Sequence, residues 1–243
     1  MPPSHSPLET IAPKGRRLKK DVRRLLGEDN FPLALDRIAQ FPPRRVVNPL
    51  FSFLYHGDPM VRWRAVTAMG RVVSRQAEND MASAQNIIRR LMWNLNDESG
   101  GIGWGSPEAL GDILACSPPL ARSYHRILIS YIDPAGNFLE HEGLQQGVLW
   151  GLGRLFNARP ETGTDCAGLL LPFLNAPDTT RRGLAAWAAV PLASKTLRDP
   201  LDSLVGDNGV LQVYVDMSLV EKRVGDLARK ALQNLGEITY DKR

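Results

Sequence analysis

The sequence predicts an all-α chain, an α-α superhelix of about five stacked helical hairpins with a small β-hairpin near its C-terminal end. Three observations carry this reading. One pattern of small and apolar residues recurs five times, closing at Gly70, Gly111, Gly153, Ala189 and Gly236, at intervals of 41, 42, 36 and 47 residues. Such spacing suits a repeating unit of two helices and two turns. In the clearest copy, Val61, Ala65, Ala68 and Val72 fall on one helical face, the stripe that a stacked neighbour covers. Finally, Val210 to Val215 is β-branched and alternating, with a turn at Asp216-Met217-Ser218, which reads as a hairpin.

The elements follow in order. Residues 1–15 are Pro- and Ser-rich and are expected to be a disordered tail ahead of one repeat domain, 16–243. An N-terminal extension, 16–42, begins with an amphipathic helix. Leu18, Val22, Leu25 and Leu26 form its apolar face, and Arg16, Arg17, Lys19, Lys20, Arg23 and Arg24 its basic one. Phe31 to Gln40 reads as a second helix. The repeats, 43–199, open with a helix from Arg44 to Tyr55. Gly57-Asp58-Pro59 breaks the chain, with Asp58 as N-cap and Pro59 at the first helical position. The second helix runs from Met60 to Arg75. In the next unit, Gly100, Gly101, Gly103 and Gly105 interrupt the helix, which is expected to restart with Ser106 as N-cap, Pro107 at N1 and Glu108 at N2. The last part, 200–243, holds the hairpin and a final helix from Gly225 to Leu235. The hairpin is expected to cap the apolar end of the stack.

Asp58, Val61, Arg62, Ala65, Ala68 and Gly70 match the HEAT pattern D-x-x-V-R-x-x-A-x-x-A-x-G. On these residues the chain resembles the HEAT-like, armadillo-type repeat proteins. Leu169 to Ala189 is a looser copy, and Leu227, Ala231, Leu235 and Gly236 give a third. Leu91 to Ile113 also resembles an uncharacterised HEAT-repeat family of anaerobic bacteria. The resemblance implies a solenoid. It leaves function open, because the superfamily includes scaffolds, pigment lyases and DNA glycosylases.

Composition narrows the choice. The chain has 243 residues, 43% hydrophobic and 23% charged, as in ordinary globular proteins. No apolar run is long enough for a bilayer span, and no secretory leader is apparent. Cys116 and Cys166 are isolated from other metal-ligand residues. A cytoplasmic setting is therefore expected, with no cofactor and no metal. Net charge is +8 over residues 1–75, −5 over 76–165 and +1 over 166–243.

The positions seven and three residues before each closing small residue share one face. They bring Trp63, Trp104, Glu108 and Trp150 into one aromatic and acidic band, expected on the concave side. The expected function is a non-enzymatic scaffold that binds a protein or peptide partner through Trp93, Glu98, Trp104, Glu108, Asp112, Glu142 and Trp150. Between Leu91 and Ala121 there is no Lys or Arg, so Glu98, Glu108 and Asp112 disfavour a phosphate in the glycine segment. Glu140-His141-Glu142 resembles a His-Glu dyad of the deoxyhypusine hydroxylases. It stands alone, and a di-iron centre is not expected. The alternative is DNA binding or alkylated-base excision of the HEAT-like glycosylase type. Trp63, Trp104, Trp150, Asp112 and the basic residues from Arg16 to Arg24 motivate it, and the acidic middle opposes it.

Overall fold

The computed structural model describes residues 15–96 and 103–240. The expected tail, apart from Gly15, lies outside the described residues, as do Glu98, Gly100 and Gly101. Helices α1 (Gly15–Leu26) and α2 (Phe31–Ala39) precede a run of helix pairs. The pairs are α3 (Pro43–Phe53) with α4 (Pro59–Asn79), α5 (Met81–Leu95) with α6 (Ser106–Cys116), and α7 (Pro118–Ser130) with α8 (Glu142–Ala158). In the fourth unit, 3-10 turns at Pro160–Thr162 and Thr164–Leu170 and the short α9 (Leu171–Leu174) replace the first helix, and α10 (Thr179–Ala189) is the second. The chain ends with α11 (Arg198–Leu204), strands β1 (Val210–Val215) and β2 (Ser218–Arg223), and α12 (Val224–Tyr240). Among the described residues no helix is long and apolar enough to cross a membrane.

The second helices form one continuous row, α2–α4–α6–α8–α10–α12, each packed on the next. The expected stripe builds that row: Val61, Ala65, Ala68 and Val72 are all at most 2% exposed. Asp58 caps α4 by accepting the Met60 and Val61 backbone N–H groups at 2.9 and 3.3 Å. The row is tightest between α6 and α8. A Cβ on Gly111 would lie 2.3 Å from the Gly151 Cα, so any side chain there would force the helices apart.

Arginines tie helices together, Arg64 and Arg159 to the preceding unit and Arg182 and Arg229 within their own. Arg64 donates to the Leu26 and Glu28 carbonyls, Arg159 to Leu114 and Ala115, Arg182 to Ala176 and Pro177, and Arg229 to Val205. These carbonyls lie at or just beyond helix C-termini, where a cation also meets the negative end of the dipole. Arg182 and Arg229 occupy the position seven residues before their closing small residues. There they hold their own unit together rather than serve recognition.

Two expectations need correction. The N-cap of α6 is Gly105, one residue before Ser106, at φ 74. A side chain there would meet the Leu54 carbonyl oxygen at 2.5 Å, so glycine is required on two counts. The β-hairpin, in turn, does not cap the end of the stack. It lies across the second-helix row. Leu211 sits over Gly183 of α10, the Tyr214 carbonyl accepts from Trp150 Nε1 of α8 at 3.0 Å, and the Tyr214 hydroxyl meets Thr67 Oγ1 of α4 at 3.2 Å. Leu211, Val213 and Tyr214 are 4%, 1% and 3% exposed. Burial of these apolar groups explains the placement better than end-capping does.

Candidate functional site: an aromatic cavity and an outer groove

The expected band of tryptophans is split in two. Trp63 and Trp150 do meet, with ring centroids 4.6 Å apart, but Tyr214 stacks on Trp63 at 5.1 Å and 8° and closes over both. Trp150 is 3% exposed, so it is not a contact surface for a partner. The physical reason is the hairpin, whose apolar strand covers the face that the band was expected to present. Trp187, which the spacing argument passed over, joins this cluster 6.1 Å from Trp150. Trp104 stands elsewhere, just before α6. Its ring lies on Gly143 and meets His141 edge-on at 5.1 Å, and it keeps 41% exposure.

The expected carboxylates also separate. Asp112 is 4% exposed and accepts from Arg154 Nε at 2.7 Å. Its other oxygen fits only because position 70 is glycine, where a Cβ would fall 2.0 Å away. Burial pushes the Asp112 carboxyl upward and the Arg154 charge opposes the shift. Desolvation, then Asp112, pushes the neighbouring Cys116 thiol up to about 11, so it is no ready nucleophile at neutral pH. Glu142 is surface-exposed and accepts from Arg181 Nη2 at 2.7 Å. His141 caps α8 through Nδ1, which accepts the Gly143 N–H at 3.1 Å. The Glu140-His141-Glu142 segment is thus the polar start of a helix. Among the described residues, no group of His, Cys, Asp and Glu has metal-site geometry.

Glu108 is the unusual acid. It packs against Gly147 of α8, and its buried Oε2 has no hydrogen-bond partner. Burial pushes its carboxyl above the usual range, against weaker opposition from its own backbone N–H and from Arg62. A carboxyl raised on folding contributes stability below its unfolded value, and this is lost as pH climbs through the folded value. Thermal melts should therefore show Glu108→Gln more stable than wild type by about 1–3 kcal/mol near pH 8, with the gap closing near pH 4.5. A gap that persists unchanged at the lower pH contradicts this assignment.

Among the described residues, two spaces are suited to ligands. The first is a cavity of about 560 Å³ under the hairpin, lined by Thr67, Asp112, Trp150, Arg154, Trp187 and Tyr214 and rimmed by Lys222 and Lys230. The second is a chain of three depressions, of about 440, 260 and 250 Å³, along α3. Asn48 lines all three, and Arg44, Phe51, Ser52 and Arg90 each line two, so that they run together as one groove between α1 and α5. The groove starts beside Lys19 and ends at Tyr55 and Trp104. Arg90 lies over the Phe51 ring at 4.0 Å and bonds Asn48. Arg44 reaches Asp80 at 3.4 Å, yet its side chain stays 81% exposed. Tyr55 is 65% exposed, and Trp93, at the same end of α5, is 73% exposed. No Asp or Glu lines this groove among the described residues.

The basic face expected on α1 is present, with Arg16, Arg17, Lys19, Lys20 and Arg24 exposed and Arg23 half-buried. Arg24 pairs with Glu28, and Lys19 lies 5.6 Å from the Phe53 ring centroid.

The fold is an all-α superhelix of stacked helix pairs with a two-stranded β-hairpin. Solved structures similar to the chain include an engineered protein, at TM-score 0.51 and 17% identity over 91% of this chain and 97% of that one. A designed armadillo repeat protein in complex with the peptide (KR)4 aligns at TM-score 0.48 and 16% identity over 90% and 99%. The archaeal HEAT-like repeats protein of Thermococcus onnurineus NA1 aligns at 0.40 and 14% over 89% and 80%. In sequence, the chain is 31% identical over 105 residues to an uncharacterized protein of Archaeoglobus fulgidus. That match spans 43% of this chain and about half, 51%, of the relative. No protein-family model matches.

Proposed function

We propose that the protein is a repeat scaffold that binds a partner as an extended acidic peptide segment, along the α3 groove and not across the second-helix row. The observation that carries this is the combination in one groove of Lys19, Arg44 and Arg90, exposed Tyr55 and Trp104, and no acidic wall among the described residues. Cations steer and register an acidic segment, while an exposed aromatic pair anchors one apolar side chain. Of the residues expected to bind, Trp93 and Trp104 stay in this role. Trp150 and Asp112 leave it because they are buried, and Glu142 leaves it because it pairs with Arg181.

Fluorescence anisotropy with labelled peptides of about ten residues, long enough to span about 33 Å extended, tests the reading. A Glu-rich peptide with one aromatic residue is expected to bind, and a Lys-rich one is not. Trp104→Ala and Arg90→Ala should each weaken binding by about tenfold, about 1.4 kcal/mol. Equal binding of the two peptides, or an affinity indifferent to Trp104→Ala, refutes the proposal.

A further inference from the structure

The cavity beneath the hairpin is separate from the α3 groove and independent of the peptide reading. Its walls combine two properties. One is aromatic: Trp150, Trp187 and Tyr214 line it together with Val190, Val213 and Leu227. The other is cationic. Lys222 on β2 and Lys230 on α12 are exposed at the rim and form no ion pair among the described residues. Arg154 reaches the same space with its Nε spent on Asp112 and its Nη2 only 4.0 Å from the weak acceptor Cys116 Sγ. Of the acids along the walls, Asp112 pairs with Arg154 and Asp226 with Arg229, while Asp216 also acts on the Arg154 charge, so the positive charge left to a ligand is chiefly that of Lys222 and Lys230.

The hairpin tip adds a further sign. Asp216 and Met217 are both left-handed, at φ 49 and φ 62, and both line the cavity. A two-residue turn with both central residues at positive φ ordinarily uses Asn and Gly. A methionine there is strained, and strained non-glycine turns gather at ligand sites. The volume of about 560 Å³ falls in the range of small-molecule pockets, about 300–1,000 Å³.

We propose that this cavity binds a planar aromatic anion of mononucleotide type, its ring against the half-buried Trp187 and its phosphate between Lys222, Lys230 and Arg154. The ring is recognised by stacking, which tolerates different heterocycles. The phosphate is recognised by converging charge, with Asp112 positioning the Arg154 fork rather than touching the ligand.

Titration of the full chain with AMP, followed by calorimetry and by intrinsic tryptophan fluorescence, tests the proposal. Quenching is expected because the Trp187 indole lines the site. Adenosine, which lacks the phosphate, should bind at least about tenfold more weakly. The Lys222→Glu/Lys230→Glu variant changes exposed side chains, so its thermal melt should match wild type while its AMP affinity falls by about tenfold or more. Tyr55→Ala should leave AMP binding unchanged, which separates this site from the peptide groove. No AMP binding up to about 5 mM, equal affinity for adenosine, or an affinity unaltered by the double charge reversal overturns the proposal.

Discussion

Truncating Trp150 to alanine is expected to cost about 3–5 kcal/mol of stability, enough to lower the melting temperature by about 10 °C in a chain of this size. The indole is 3% exposed and touches Trp63, Trp187 and Tyr214. Its loss leaves a void walled by Trp63, Trp187 and Tyr214, rings fixed on three other elements that can relax into it only in part. It also removes the donor to the Tyr214 carbonyl, and so loosens the hairpin. Trp150→Phe separates the two effects. It keeps most of the ring and forfeits the N–H, for about 1–2 kcal/mol. Chemical denaturation of wild type and both variants measures the series. A neutral Trp150→Ala would mean that the hairpin does not rest on this face.

The second large effect is at Asp112. Asp112→Ala leaves the Arg154 charge without its partner. Removing one partner of a buried pair costs about 3–5 kcal/mol, and Arg154, still 37% exposed, recovers some of that from water, leaving about 2–4 kcal/mol. Arg154→Met alone strands a carboxylate that is far less exposed and should cost at least as much. The double variant, which strands neither, should recover stability toward wild type, giving a favourable coupling of about 1–3 kcal/mol in a double-mutant cycle. Additive losses, with no recovery in the double variant, would mean the two groups do not depend on each other.

Much of the architecture was legible because a helix repeats its face locally. Val61, Ala65, Ala68 and Val72 announce the α4 stripe within a dozen residues, and Asp58-Pro59 announces its start. The site was not legible in the same way. Trp150 has the spacing of an exposed inner residue, and nothing nearby shows that Tyr214, 64 residues on, descends onto it. Spacing along a helix reports which residues share a face, but not what covers that face. One signal was available and unused. Asp112 and Arg154 each follow the closing glycine of their repeat directly, 42 residues apart, so the stack must bring them together. The same one-period step joins Asn48 to Arg90 in the outer groove. Tyr55 and Trp104 meet there because two loops converge, which no single-repeat pattern encodes.

Amide hydrogen exchange, with and without the Glu-rich peptide, reads both halves of the account in one experiment. In the free protein, the β1 amides facing β2 should be as protected as those of α8. The peptide should then slow exchange in α3 and in the last turn of α5 while leaving β1 untouched. Rapid exchange throughout β1, or peptide-induced deprotection of the hairpin together with protection of α8 and α10, would show instead that the hairpin yields the second-helix row to the partner.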